Sequence, residues 1–354
     1  MRTAAQVLLI AFLLVGSAAR DVAQPASGPV AMKPNANLIR VWGFDGMKPL
    51  LLRWEAAYTK EHPEIHFLNT LYGPASAMAG LYNRVADIVV MGREIWPVDA
   101  MAYRWVFQRQ PFGITVVTAG LNAPAQAFTP VVIVNRKNPL NSISLAQLDA
   151  IYGSEHRAAA SNARTWGDLG LTGDWADKPI HPYGYGPEDA LGVYFRHDVL
   201  RSDFKPSLDS HLLSERDSTA QQENLTAAER IARLVASDPD AIGYGKASTL
   251  RPTLKAIAVQ GAAPPAIDAN LDTLFAHRYP LTRTLSLYVN RAHDKPLAPA
   301  LDGFLHYVLS PEAQAEVQSR EGFLPLTPAL AQHELQRLEG PVPSETQAGA
   351  EDNQ

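Results

Sequence analysis

Residues 38–71 have the sequence LIRVWGFDGMKPLLLRWEAAYTKEHPEIHFLNTL. The apolar run Leu38–Trp42 predicts a strand, and a glycine-containing turn then leads into a helix over about 47–61. Pro63 ends that helix, because a proline disfavours helical backbone in the residue before it. The strand-like segment 65–71 follows. This stretch therefore predicts a strand–helix–strand unit, the building block of a parallel sheet.

The same alternation continues along the chain. Further strands are predicted at 88–91, 112–118, 131–135, 180–185, 242–244, 254–259 and 284–290, and helices at 144–152, 189–200, 227–237, 297–309 and 311–320. Strands that alternate with helices in this way form a mostly parallel sheet with helices on both faces. We therefore predict an α/β fold.

Composition narrows the class of protein. The 354 residues are 46% hydrophobic, which is enough for a full core and suggests two domains. Lys and Arg number 31 against 36 Asp and Glu, a formal net charge of -5. Such a chain has no positive field to gather a polyanion, so we expect no nucleic-acid partner.

The two ends of the chain are typical of an exported protein. Arg2 precedes an apolar run, Val7–Val15, and the small residues 17–19 suit cleavage. We predict a cleaved signal peptide over 1–19, a linker over 20–37 and a disordered tail over 339–354. The apolar run is far shorter than the roughly 20 residues that span a bilayer, so we expect a periplasmic protein without membrane insertion.

No residue pattern in the sequence predicts a catalytic, metal or cofactor site. The chain has no cysteine, which excludes disulfides, thiolate ligands and a lipid-modified cysteine. His62 and His66 have the spacing of helical metal ligands, but Pro63 lies between them. Residues 184–189 resemble a dinucleotide fingerprint but lack its third glycine. No nucleophile elbow or phosphate-binding P-loop occurs, and only a triad assembled from distant positions remains open. We expect no enzymatic activity, no cofactor and no metal.

Four strand-to-helix loops, 43–47, 72–77, 92–96 and 184–189, predict where a ligand binds. In open α/β sheets ligands bind beyond the carboxyl ends of the strands, where helix N-termini direct N–H groups at anions. Arg93 is the one cation immediately after a buried strand, and it serves either an anion or an ion pair. Nearby aromatic residues either stack on a ligand or fill the core; they are Trp42, Phe44, Tyr72, Trp96, Tyr183 and Tyr185.

Several motifs resemble the phosphate-binding type of periplasmic solute-binding protein, the capture subunit of ABC importers. They occur in order as PVVIVN (130–135), SISLAQLDAIY (142–152) with Trp166, IGY (242–244), YPLTR (279–283) with LYV (287–289), SPEAQ (310–314) and GFLP (322–325). The resemblance extends over about 38–328.

The resemblance implies a two-lobed periplasmic binding protein fold. The first lobe is expected to comprise 38–130 plus 284–338, and the second lobe 131–283. Two hinge strands, near 130–136 and 281–290, join the lobes and allow them to close over a solute. The implied partners are a small anionic solute and the membrane permease of an ABC importer, and we expect a monomer.

The predicted ligand site combines the loops with this resemblance. Arg93 is expected to neutralise charge, Ser76 to donate a hydroxyl, and Arg283 to lie on the hinge side. Backbone N–H groups around Gly46, Met47, Ser76 and Gly192 are expected to complete the cradle.

The chain also departs from the family. Where the family has hydroxyl residues and an arginine followed by Ser-Gly-Thr, this chain has Asp45, Glu188 and Asp189, which either cap helices or repel an anion. These departures leave open a diverged binding or sensory protein with a different ligand or none.

Overall fold

The computed structural model describes residues 36–159, 161–201, 205–293, 295–318 and 321–341. The predicted signal peptide and nearly all of the predicted linker and tail lie outside these residues. The first part of the chain contains β1 (Leu38–Gly43), α1 (Lys48–Glu61), β2 (His66–Thr70), α2 (Pro74–Tyr82), β3 (Ile88–Met91), α3 (Pro97–Phe107) and β4 (Phe112–Ala119). A short 3-10 turn, Asp45–Met47, connects β1 to α1.

The middle of the chain alternates strands and helices in the same way. It contains β5 (Val131–Asn135), β6 (Ser142–Ser144), α4 (Leu145–Tyr152), β7 (His181–Tyr185), α5 (Ala190–Tyr194), β8 (His211–Leu213), α6 (Ser218–Glu223), α7 (Ala227–Ser237), β9 (Ala241–Gly245), β10 (Leu254–Gln260) and α8 (Leu271–Phe275). One π-helical turn, Phe195–Val199, continues α5. The last elements are β11 (Thr284–Val289), α9 (Pro299–Val308), α10 (Pro311–Ala315), β12 (Phe323–Leu324) and α11 (Pro328–Glu339).

The strands form two six-stranded sheets. The first sheet has the order β12-β4-β11-β3-β1-β2 and the second has the order β6-β10-β5-β9-β7-β8. The chain passes from the first sheet to the second between β4 and β5, and it returns between β10 and β11. The predicted α/β class and its two-part architecture are confirmed.

The sheets are more mixed than expected. Three of the five pairings in the first sheet and two of the five in the second are antiparallel. The second sheet is mostly parallel, as expected, whereas the first sheet is mixed. The strands next to the two crossings, β5 and β11, are inserted antiparallel to their neighbours on both sides.

The central strands and their covering helices form the core. Every residue of β3, β5 and β9 is buried. Trp54 on α1 is fully buried, and its indole N–H donates to the carbonyl of Ala313 at 2.8 Å, which ties α1 to α10. Helix α4 begins where the sequence predicts, because Ser144 and Gln147 form a reciprocal capping box. None of the helices in the described ranges is long and apolar enough to cross a membrane.

Candidate functional site

Three loops of the first sheet meet at the carboxyl ends of β1, β2 and β3. The N–H of Gly73 donates to the carbonyl of Gly43 at 2.9 Å, and the N–H of Phe44 donates to the carbonyl of Val90 at 3.0 Å. Gly43 has φ of +122°, a conformation that favours glycine. The structure thus brings three of the four predicted ligand loops together.

The ring of Phe44 fills the space between two of these loops. Phe44 is buried, and a Cβ added at either Gly46 or Gly92 would overlap its ring. Phe44 is therefore a packing residue, and the ring lies directly against the two glycine backbones. This outcome supports the core alternative for Phe44, whereas Tyr72 on the next loop is 85% exposed.

The helix N-termini at these loops lack side-chain caps. Neither Phe44 nor Met47 caps the turn into α1, and Gly73 does not cap α2. The first N–H groups of a helix have no partner within the helix, so such an end attracts an anion. Ser76 lies in the first turn of α2, and its hydroxyl donates to the carbonyl of Gly73 at 2.9 Å. To donate to a ligand instead, that hydroxyl must rotate.

Arg93 is held by its own loop and the helix that follows. Its Nη2 lies 2.8 Å from Asp99 Oδ2, its Nη1 donates to the carbonyl of Glu94, and its guanidinium stacks 4.0 Å from the Trp96 ring centre. The side chain is only 4% exposed. A charge already paired in this way contributes less to a ligand than a free one.

Arg283 is also fully engaged, at the start of β11. Its Nε and Nη2 donate to the two carboxylate oxygens of Glu94 at 2.9 and 2.8 Å. Its Nη1 donates to the carbonyls of Gln126 and Phe128 at 2.6 and 3.0 Å. Arg283 thus ties the loop after β3 to the segment before β5, which supports a structural role on the hinge side.

The corresponding loop of the second sheet lies between β7 and α5. Gly192, in the first turn of α5, packs so tightly that a Cβ there would overlap the carbonyl oxygen of Gly186. The backbone therefore requires glycine at 192 whether or not its N–H contacts a ligand. The structure describes no contact between Gly192 and the predicted site residues of the first sheet.

Carboxylate side chains predominate around this loop of the second sheet. We call this region the second wall, and the loops after β1, β2 and β3 the first wall. Asp189 is 6% exposed, and its Oδ1 accepts from Gln126 Nε2 at 3.3 Å. The same amide nitrogen lies 3.2 Å from Glu215 Oε1, and the side-chain oxygen of Gln126, Oε1, accepts from the N–H of Leu191 at 3.0 Å. Burial raises the pKa of the Asp189 carboxyl, and hydrogen bonding by its neighbours Ser214 and Gln126 only partly opposes the shift. Asp189 does not cap α5 through its side chain.

Aromatic side chains pack beneath this loop. Tyr185 is buried, and Phe195 and Tyr244 stack with ring centres 4.0 Å apart. A cavity of about 20 Å³ among Tyr152, Tyr185 and Tyr244 has room for about one water molecule. Burial raises the pKa of the Tyr185 hydroxyl. The core alternative therefore holds for Tyr185 as well.

Several residues of this region were missed in the sequence analysis. Glu94 and Gln126 carry the bonds that join the loops, and Glu215 lies on the second wall. Lys246, just after β9, lies with its ammonium 5.6 Å from the Phe128 ring centre, and burial lowers its pKa. Among the described residues no three His, Asp or Glu side chains are grouped so that they could hold a metal ion.

Comparison with solved structures first defines the fold class. PstS from Borrelia burgdorferi aligns with a TM-score of 0.54 at 14% identity, over 82% of this chain and 99% of that chain. An ABC-type phosphate transport receptor from Vibrio cholerae aligns with a TM-score of 0.52 at 17% identity, over 81% of this chain and 99% of that chain. These structures share the fold of this chain.

The family follows from sequence comparison. The model of the PBP superfamily domain matches residues 30–312, and the chain belongs to that superfamily. The phosphate-binding protein PstS of Pseudomonas aeruginosa is 27% identical over 301 residues, which cover 84% of this chain and 85% of that protein. The resemblance inferred from the motifs is confirmed at the level of the family.

Proposed function

We propose that this chain is an exported solute-binding protein that captures phosphate or a related small oxyanion between two lobes and delivers it to the permease of an ABC importer. The lobes correspond to 38–130 plus 284–338 and to 131–283, and the protein acts as a monomer in the periplasm. Relatives named as phosphate-binding proteins, similar over most of both chains, support this assignment. Because those relatives are binding proteins, we expect capture of the ligand without chemistry.

The observation that carries the proposal is the pair of uncapped helix N-termini, those of α1 and α2, at the carboxyl ends of β1 and β2. Their N–H groups and the positive ends of the helix dipoles favour an anion there. Gly46 and Met47 supply backbone donors. The N–H and the hydroxyl of Ser76 both donate to the carbonyl of Gly73, at 3.2 and 2.9 Å, and the hydroxyl contributes to a ligand after rotation. The positive charge of Arg93 attracts the anion, and the negative charge of Asp99 partly cancels this attraction.

A second candidate is a binding or sensory protein with a different ligand or none. Both arginines assigned to the site already have carboxylate partners, Asp99 for Arg93 and Glu94 for Arg283. Each charge-assisted hydrogen bond that a buried oxyanion fails to make costs about 1.5–3 kcal/mol of affinity. Tight binding of a free dianion therefore depends on the backbone donors.

Calorimetric titration with phosphate, sulfate and molybdate tests the proposal. We expect heat with at least one of these anions, and we expect Ser76→Ala to weaken that binding about tenfold through the loss of one hydrogen bond. Ser237→Ala is the matched control, because its hydroxyl also donates to a carbonyl three residues earlier in the chain, that of Leu234. A folded protein that gives no heat with any of the three anions contradicts the oxyanion assignment and favours the second candidate.

A further inference from the structure

The loop between β7 and α5 places two carboxylates around one glycine. A Cβ added at Gly186 would lie 3.0 Å from Glu188 Oε1 and 3.1 Å from Asp189 Oδ2. Both oxygens therefore lie on the same side of Gly186. Glu215, on the loop after β8, is joined to Asp189 through the amide of Gln126.

Asp189 has an acceptor atom without a donor. Its Oδ2 is buried and makes no hydrogen bond in the described part of the chain, and the buried hydroxyl of Tyr185 has no partner there either. Leaving a buried carboxylate oxygen unpaired costs about 1–3 kcal/mol or more. A donor that reaches Oδ2 would remove this cost.

The protein supplies little positive charge to this wall. Within the described ranges no Lys, Arg or His nitrogen lies within 4.0 Å of a carboxylate oxygen of Glu188, Asp189 or Glu215. Arg196 interacts electrostatically with Glu188, but its Nε and Nη2 donate to the carbonyls of Gly192 and Pro187. The wall thus favours a cationic donor brought by a guest.

We propose that Asp189, with Glu188 and Glu215 beside it, forms a subsite for a ligand ammonium group, so that the preferred ligand is a small phosphonate or phosphate bearing a primary amine. The inference rests on the proposed function, which places the anionic end at the N-termini of α1 and α2. The ammonium donates to Asp189 Oδ2, and the neighbouring carboxylates neutralise its charge. A zwitterion of this kind contacts both walls at once.

A comparison of two phosphonates of equal size isolates the contribution of the amine to binding. At pH 7.5 we expect 2-aminoethylphosphonate to bind at least about tenfold more tightly than propylphosphonate, because one charge-assisted hydrogen bond is gained. Asp189→Asn keeps the shape of the side chain and removes its charge, so this preference is expected to fall to near unity. Thermal unfolding of each variant verifies that it is folded.

Glu55→Gln is the matched control. Glu55 is also buried, and one of its oxygens accepts from the amide of Asn69. Its other oxygen has no partner within the described segments. It lies on α1 against the edge strand β2, so its variant is expected to keep the preference for the amine.

Four outcomes would overturn either the ammonium subsite or the proposed function. Equal binding of the two phosphonates alongside binding of inorganic phosphate overturns the ammonium subsite and leaves the proposed function standing. A preference that survives in Asp189→Asn also overturns it, as does a preference lost equally in Glu55→Gln. No binding of phosphate or either phosphonate overturns the proposed function itself.

Discussion

The loops of the first sheet and the β7–α5 loop of the second sheet balance charge in opposite ways. After β3, Arg93 and Arg283 each have a carboxylate partner, so positive charge is cancelled within the protein. After β7, Asp189 is buried, and one of its oxygens has no partner among the residues that the structure describes. The first region gains rigidity from its ion pairs, whereas in our proposal the second leaves its charge for a ligand ammonium to complete. We therefore interpret Arg283 as a structural residue and Asp189 as a recognition residue.

The largest expected effect is the loss of stability when the ion pair between Arg283 and Glu94 is removed. Arg283→Met leaves Glu94 and two backbone carbonyls without a donor, and we expect it to lower the free energy of unfolding by about 3–5 kcal/mol. Arg40→Met is the control, because Arg40 also forms a two-point contact with a carboxylate, that of Asp87, but is 33% exposed. We expect that variant to cost about 1 kcal/mol. Equal losses in urea unfolding would show that Arg283 is not a structural centre.

Glu55 is a buried carboxylate for which we expect no role in ligand recognition. Burial raises its pKa to about 7. A raised folded-state pKa means that the stabilising contribution is present at low pH and is lost as the pH rises through 7. We expect the free energy of unfolding to fall by up to about 3 kcal/mol between pH 5 and pH 8 from this group.

Glu55→Gln provides the measurement of that effect. Urea unfolding at several pH values is expected to show a flatter profile for the variant than for the wild type, with the variant the more stable at pH 8. A wild-type profile with the same slope as that of the variant would mean that Glu55 keeps its ordinary pKa.

The smallest expected difference is between glycines on the two sides. Gly192→Ala pushes against the backbone carbonyl of Gly186, whereas Gly46→Ala pushes against the far end of a side chain, the Phe44 ring. We expect losses of about 3 and about 1 kcal/mol in thermal or urea unfolding. The reverse order would show that the Phe44 ring is the more rigid of the two contacts.

Most of the architecture could be predicted from local patterns. Strand β3 was predicted with its observed bounds, because four consecutive apolar residues are typical of a strand buried on both faces. Helix α3 was not predicted. Its apolar residues Val98, Met101 and Trp105 are exposed, so their spacing did not correspond to a buried face.

The site was less predictable than the fold. Arg93 and Gly46 could be identified from their positions after strands, but their partners could not. Glu94 and Arg283 are 189 residues apart in sequence, and no local pattern reports such a contact. Likewise, Asp189 was expected either to cap a helix or to repel an anion, and only the structure shows that one oxygen is buried without a donor.

The packing of Phe44 against Gly46 and Gly92 couples the substitutions that are tolerated at these three positions. Either glycine can acquire a side chain only if the ring at 44 is lost or moves away, and a smaller residue at 44 would open a void above both backbones. Among relatives, changes at 44, 46 and 92 should therefore occur together, and their pattern would divide the lineage into members with an occupied and a vacant pocket at the start of α1.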